Sequence, residues 1–211
     1  MDDFSLTTTS TSAKKNCRIL KKEAESLFSM AKNHSIEFDI GKTELIHFSN
    51  KRKPIEESIE FSKNFIARPK NLVRWLGIFL DSKLLFKEHV DKKITSAEKI
   101  FLLIKRLGNT QRGLSTLALR QLYISCITSI ADYGVPIWWG ERKKTLLGKY
   151  QGLQNRALRL ILGAFRTSPY RAMELEAAII PTQLRFEKLC DFYSYRTLKN
   201  NNLGSDLFFR K

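Results

Sequence analysis

From Ser12 to about Asn33, apolar residues return every three or four positions: Ile19, Leu20, Ala24, Leu27, Phe28 and Ala31, with Lys and Glu between them. That spacing predicts one amphipathic helix, with Ser10 or Ser12 as its cap. The period then changes. Ile36, Phe38 and Ile40 alternate with polar residues, Gly41 breaks the run, and Leu45 to Phe48 resume it, which predicts two short strands around a Gly-Lys loop. Beyond the polar KRKP break, SIEFS and FIARPKNLVRWLGIFLD hold further strands, punctuated by Pro69. Its segment WLGIFLD is apolar on both faces, which suits a strand buried on both sides or lying where two domains meet.

From Phe86 onward the period is helical. Val90, Ile94, Ala97, Phe101, Ile104 and Leu107 step by fours and threes, with Gly108 as a C-cap. A second helix is expected from Ser115 to about Asp132, presenting Leu119, Leu122, Tyr123, Cys126 and Ile130, and ending at YGVPIWWG. A third runs from about Thr145 to Ala164 with Leu146, Tyr150, Leu153, Ala157, Leu160 and Ile161 inward. RAMELEAAII, stopped by Pro181, and Thr182 to about Asn200 supply two more. The chain therefore reads as α+β, a mixed piece ahead of a helical bundle, with the boundary near residue 82.

Charge sharpens that division. The 211 residues carry a formal net charge of +16. Residues 1–81 hold 14 Lys and Arg against 11 Asp and Glu, whereas residues 82–211 hold 23 against 10. A polyanion is therefore expected on the second part. Cys17, Cys126 and Cys190 are too few and too scattered for a disulfide framework or a zinc pattern, so reduced thiols in an intracellular setting, nuclear or cytoplasmic, are expected. No apolar run reaches the length of a membrane span. His34, His47 and His89 show no ligand spacing.

The order of motifs adds what periodicity does not. DDFSL, then a helix, then FDIGKTELIHFS, then VRWLGIFLD resembles the end of the palm of non-LTR (LINE-type) retrotransposon reverse transcriptases. LYISCITSIADYGVPIWW and LQNRALRLILGAFRTSPYRAMELEAAIIPTQLRF resemble the thumb and the segment after it. The resemblance implies a C-terminal remnant of the palm over 1–81 (one helix plus short antiparallel strands), a mainly α-helical thumb over 82–168, and a helical post-thumb segment over 169–211. It also implies an RNA-directed DNA polymerase with an RNA template, a DNA primer, dNTP substrates and Mg2+.

By the same resemblance Asp2 and Asp3 are the paired aspartates of the catalytic hairpin and ligands of Mg2+, and Met1 takes the variable position before them. The family's preceding aromatic residue falls outside the chain. Two-metal nucleotidyl transfer needs clustered carboxylates, because two Mg2+ ions must bridge the attacking and leaving oxygens. Lys42 falls where a cation would stabilise the pyrophosphate leaving group, although an ordinary turn lysine fits the residue equally well. Its GKT lacks the upstream glycine of a Walker A loop. Leu76, Gly77 and Ile78 fall in the primer grip, Gly77 permitting close backbone approach.

Lys99, Lys105, Arg106, Arg112, Arg142, Lys143, Lys144, Lys149, Arg156, Arg159 and Arg166 are the candidates for phosphate contacts. Trp138 and Trp139 are expected to seal the join between helices. With its third carboxylate and fingers absent, the chain alone is expected to bind template–primer without polymerising. The alternatives are a stand-alone or domesticated basic nucleic-acid-binding module and a relic without function.

Overall fold

The computed structural model describes residues 4–62, 65–108, 113–140 and 144–199. The fold is α+β, with two antiparallel strand pairs in its first part and helices throughout the second. It divides into two compact units, Met1–Phe86 and Lys87–Lys211.

In the first unit, α1 (Ala13–Asn33) turns Cys17, Ala24 and Ala31 inward. Small side chains on that face let the helix lie close over β1 (Ile59–Ser62) and β2 (Phe65–Ala67), which pair antiparallel. Cys17, Leu45, Ile59 and Ala67 form the core, with Leu20, Phe61 and Phe65 packed against it. A relay of rings continues outward, Phe65 to Phe61 to Phe28 to Phe38 to Phe4, with centroids 5.5–6.2 Å apart.

The two strands expected around Gly41 do not form ladders. Asp39 accepts the amide of Gly41 at 3.0 Å and folds Ile40–Lys42 into a 3-10 turn, and Leu45 makes an isolated bridge to Pro69. An alternating pattern makes a strand only where a partner edge supplies hydrogen bonds, and proline offers no donor.

The stretch read as one strand apolar on both faces is a hairpin. β3 (Leu72–Trp75) pairs with β4 (Ile78–Asp81), Trp75 opposite Ile78. Leu76 (φ 45°) and Gly77 (φ 77°) make its two-residue turn, the left-handed geometry that matches strand twist. Gly77 takes it freely, whereas Leu76 holds it at a cost of about 1–2 kcal/mol. Beyond β4, the Asp81 carboxylate accepts the amides of Leu85 (2.9 Å) and Phe86 (2.7 Å). It thereby holds a segment in which Leu84 and Phe86 also have positive φ.

The second unit starts with α2 (Lys87–Gly108), which buries Val90, Ile94, Ala97, Phe101 and Ile104 as the period predicts, and His89 besides. Leu107, expected on that face, is 56% exposed. Gly108, the last described residue of the helix, packs closely, since a Cβ there would lie 3.1 Å from Leu119 Cδ2. α3 (Thr116–Leu122), capped by Ser115, runs directly into a π-helical segment (Tyr123–Thr128) and a last turn, α4 (Ser129–Ala131).

The widened turn changes which side faces in. Leu119, Tyr123, Ile127 and Ala131 are buried, whereas Leu122, Cys126 and Ile130 are half-buried. A period of four is too long for an α-helix of 3.6 and close to that of a π turn. Gly134 (φ 76°) then starts α5 (Val135–Trp138). α6 (Lys144–Leu162) is closed by Gly163 at φ 62°, with Ala164 N–H bonded to the Arg159 carbonyl. α7 (Tyr170–Glu176) and α8 (Thr182–Lys199) complete the bundle.

Trp138 stacks on Tyr150 (5.5 Å, 18°), and the Phe186 ring meets both edge to face, at 5.5 Å and 4.9 Å. Trp139 reaches Phe186 at 5.2 Å. The tryptophans therefore join α5, α6 and α8.

Candidate nucleic-acid interface

Two ion pairs link α2 to α6. Asp91 pairs with Lys149 and Glu98 with Arg156. The partners are seven residues apart on each helix and in the same order, so the two helices run parallel along this seam. Arg156 also lies 5.9 Å from the centre of the Phe101 ring. The seam consumes two of the three carboxylates of α2, Glu88 being the third.

Beyond Glu98, α2 carries no acid. Lys99, Lys105 and Arg106 are exposed there and have no carboxylate partner among the described residues. Leu102 and Leu103 lie between them, 55% and 54% exposed. Periodicity alone does not single out these leucines, because they sit in FLLI between the buried Phe101 and Ile104. Arg166 is exposed beyond α6. Arg159 is half-buried, with Nη1 donating to the Asn155 carbonyl at 3.3 Å. Arg112, Arg142 and Lys143 lie outside the described residues, as does the side chain of Lys144.

A buried polar network ties the π-helical segment, α6, α7 and α8 together. Arg185 of α8 grips Asp132 with two hydrogen bonds, 2.6 and 3.2 Å, and donates a third to Gln154 Oε1 at 2.5 Å. Tyr123 of the π segment donates to the same oxygen at 2.9 Å. The Gln154 amide donates to Glu174 Oε1 (2.7 Å) and to the Ile180 carbonyl (3.3 Å). Arg120 adds a clamp, donating to the carbonyls of Ala177 (2.7 Å) and Ala178 (2.9 Å), where Ala178 sits at φ 48°. The sequence signals none of these partnerships, since the partners lie 20–58 residues apart.

Burial pushes the Asp132 carboxyl above its ordinary range, against the opposing charge and hydrogen bonds of Arg185. It pushes the Tyr123 phenol up to about 12, again against Arg185. A group whose folded pKa is raised adds stability that is complete below the unfolded value and is lost as pH rises through the folded one. Stability should therefore fall between about pH 10 and 12, by about 2–3 kcal/mol through Tyr123. Urea unfolding across that range checks this: Tyr123→Phe should reduce the slope to what the Tyr150 phenol, also raised by burial, contributes, and an unchanged slope would exclude Tyr123 as a source.

In the first unit, Lys42 is exposed and paired with Asp39 at 3.3 Å. Leu76 and Gly77 form the hairpin turn and Ile78 is its first buried residue. Asp2 and Asp3 lie outside the described residues. Among the described residues no three His, Cys, Asp or Glu side chains cluster so as to hold a metal. No helix among the described residues is long and apolar enough to cross a membrane.

Over 161 residues, 76% of its length, the chain is 28% identical to a Drosophila melanogaster protein described as a probable RNA-directed DNA polymerase from transposon BS. It spans 18% of that relative's length. No protein-family model and no solved structure matches it. The likeness supports the resemblance drawn from the motifs: the chain is similar to a piece of a transposon-encoded reverse transcriptase.

Proposed function

We propose that residues 82–168 form the thumb of a non-LTR retrotransposon reverse transcriptase and hold the RNA template–DNA primer duplex along the outer face of α2. The palm remnant then covers 1–81 and the post-thumb segment 169–211. One observation carries this reading. Asp91 and Glu98 are drawn into the α6 seam, which leaves the exposed Lys99, Lys105 and Arg106 without a carboxylate partner among the described residues. Such a row attracts phosphates through counterion release and carries no sequence preference.

Among the described residues the phosphate contacts accordingly narrow to Lys99, Lys105, Arg106 and Arg166, and Arg112, Arg142, Lys143 and Lys144 stay candidates beside them. Lys149 and Arg156 act as struts. The exposed Leu102 and Leu103 suit the wide, shallow minor groove of an A-form hybrid, where sugars offer apolar contact. Lys42 and the Leu76–Gly77–Ile78 turn keep the roles that the resemblance gives them, near the leaving group and at the primer end. Nucleotide transfer needs clustered carboxylates, and the described residues supply no such cluster. The third carboxylate that the resemblance assigns to an earlier palm strand is not among these 211 residues, so on this reading they bind duplex without extending a primer.

Binding of an RNA–DNA hybrid, measured across a salt series, tests this. Affinity should fall steeply with salt, with a log–log slope of about −3 to −4 for four contacts. The test should show no templated nucleotide incorporation. Salt-independent binding, or none, would reject the duplex reading. Incorporation abolished by Asp2→Ala would reject the inactivity.

A further inference from the structure

α8 rests on the bundle through its first half only. Thr182 and Phe186 are buried, but from Asp191 to Lys199 every residue is exposed. Along its outer side, Pro181, Leu184, Lys188, Asp191, Tyr195 and Leu198 recur at spacings of three, four, three, four and three. That is the spacing of a coiled-coil seam, with a charged pair at its middle and the exposed Phe192 and Tyr193 beside it. Leu184, Tyr195 and Leu198 are 54–62% exposed. Leu184, Lys188, Asp191 and Tyr195 line one shallow trough, flanked by Glu187 and Phe192. A continuous seam of this kind left in water marks an interaction surface.

The charges say what fits it. Unlike the outer face of α2, the trough carries both signs: Glu187 and Asp191 stand with Lys188, and Arg196 lies 4.3 Å from the centre of the Phe192 ring. The seam is its own complement when laid antiparallel on itself. With Lys188 opposite Asp191 of a second copy, Leu184 meets Tyr195, Pro181 meets Leu198, and the same layers repeat on the other side of the twofold axis. A one-layer slip would set like charges or a charge and an apolar residue face to face. Such a polar layer fixes register and orientation at some loss of stability. The overlap from 181 to 198 is about 25 Å long, enough for a modest interface.

We infer that α8 is a homodimerisation helix, pairing antiparallel with α8 of a second copy through two symmetric Lys188–Asp191 contacts. The pairing is independent of duplex binding, because it uses a different helix and chemistry.

Sedimentation velocity of the 211-residue chain over low to high micromolar concentrations tests it. A monomer–dimer equilibrium is expected. Asp191→Lys should raise the dimer dissociation constant by at least about tenfold. Adding Lys188→Asp to it should bring the constant back to within about threefold of the parent value. All these side chains are exposed, and circular dichroism will confirm that the variants fold. A chain monomeric throughout, a dimer indifferent to Asp191→Lys, or a swap that does not restore it would each overturn the inference. If the monomeric chain loses RNA affinity on Tyr195→Ala, the face belongs to nucleic acid instead.

Discussion

Arg185→Leu is expected to destabilise the helical unit by about 3–5 kcal/mol, the range seen when one partner of a buried ion pair is removed. Both partners are largely shielded, with 16% of the Arg185 side chain and 9% of the Asp132 side chain exposed. Leucine fills part of the volume but leaves the Asp132 carboxylate without its two hydrogen bonds. Gln154 loses one of the two donors to its Oε1, keeping only Tyr123.

Replacing both partners, as Asp132→Leu with Arg185→Leu, should recover much of the loss, because the uncompensated charge is then gone. The pH dependence separates this from a packing defect. Burial already raises the Asp132 carboxyl above its ordinary range, and removing the opposing guanidinium raises it further. A raised folded pKa means that protonation favours the folded state, so the deficit of Arg185→Leu should shrink as pH falls from neutrality toward the unfolded carboxylate value. Urea unfolding at several pH values reads both effects. A loss under about 1 kcal/mol, or one independent of pH, would mean that the pair is not the buried contact described.

The second large effect is on binding. Lys99→Glu with Arg106→Glu should weaken hybrid affinity by roughly 10–100-fold at moderate salt and reduce the magnitude of the log–log salt slope by about 2. The two residues lie seven positions apart, about 10.5 Å along α2, and have no carboxylate partner among the described residues. Lys149→Gln and Arg156→Gln are the contrast, since those cations are engaged by Asp91 and Glu98. They should change affinity less than about threefold. Equal losses from both pairs would place the phosphates across α6 as well and remove the distinction between strut and contact.

The helices were legible because a 3.6-residue period is a local property. α1, α2, α6 and α8 fall close to where the apolar spacing puts them. The first errors appear where pairing decides. Residues 36–48 alternate correctly for strands yet form only one bridge, since a strand is completed by its neighbour. WLGIFLD reads as one apolar strand, but Leu76 and Gly77 turn it back on itself. The face of α3 shifted because a π segment is a tertiary choice, made where Tyr123 must reach Gln154.

The site divides in the same way. Net charge, its concentration after residue 82, the order of the motifs and their likeness to a reverse transcriptase were set by the sequence, because composition and motif order survive without coordinates. Which cations remain available was decided by tertiary structure. Lys99 and Lys149 are the same residue type on amphipathic helices, and only the parallel packing of α2 on α6 puts Asp91 against Lys149 and, among the described residues, no acid against Lys99. Ion pairs, buried networks and hairpin turns depend on distances between residues far apart in the chain, and those distances exist only once it has folded.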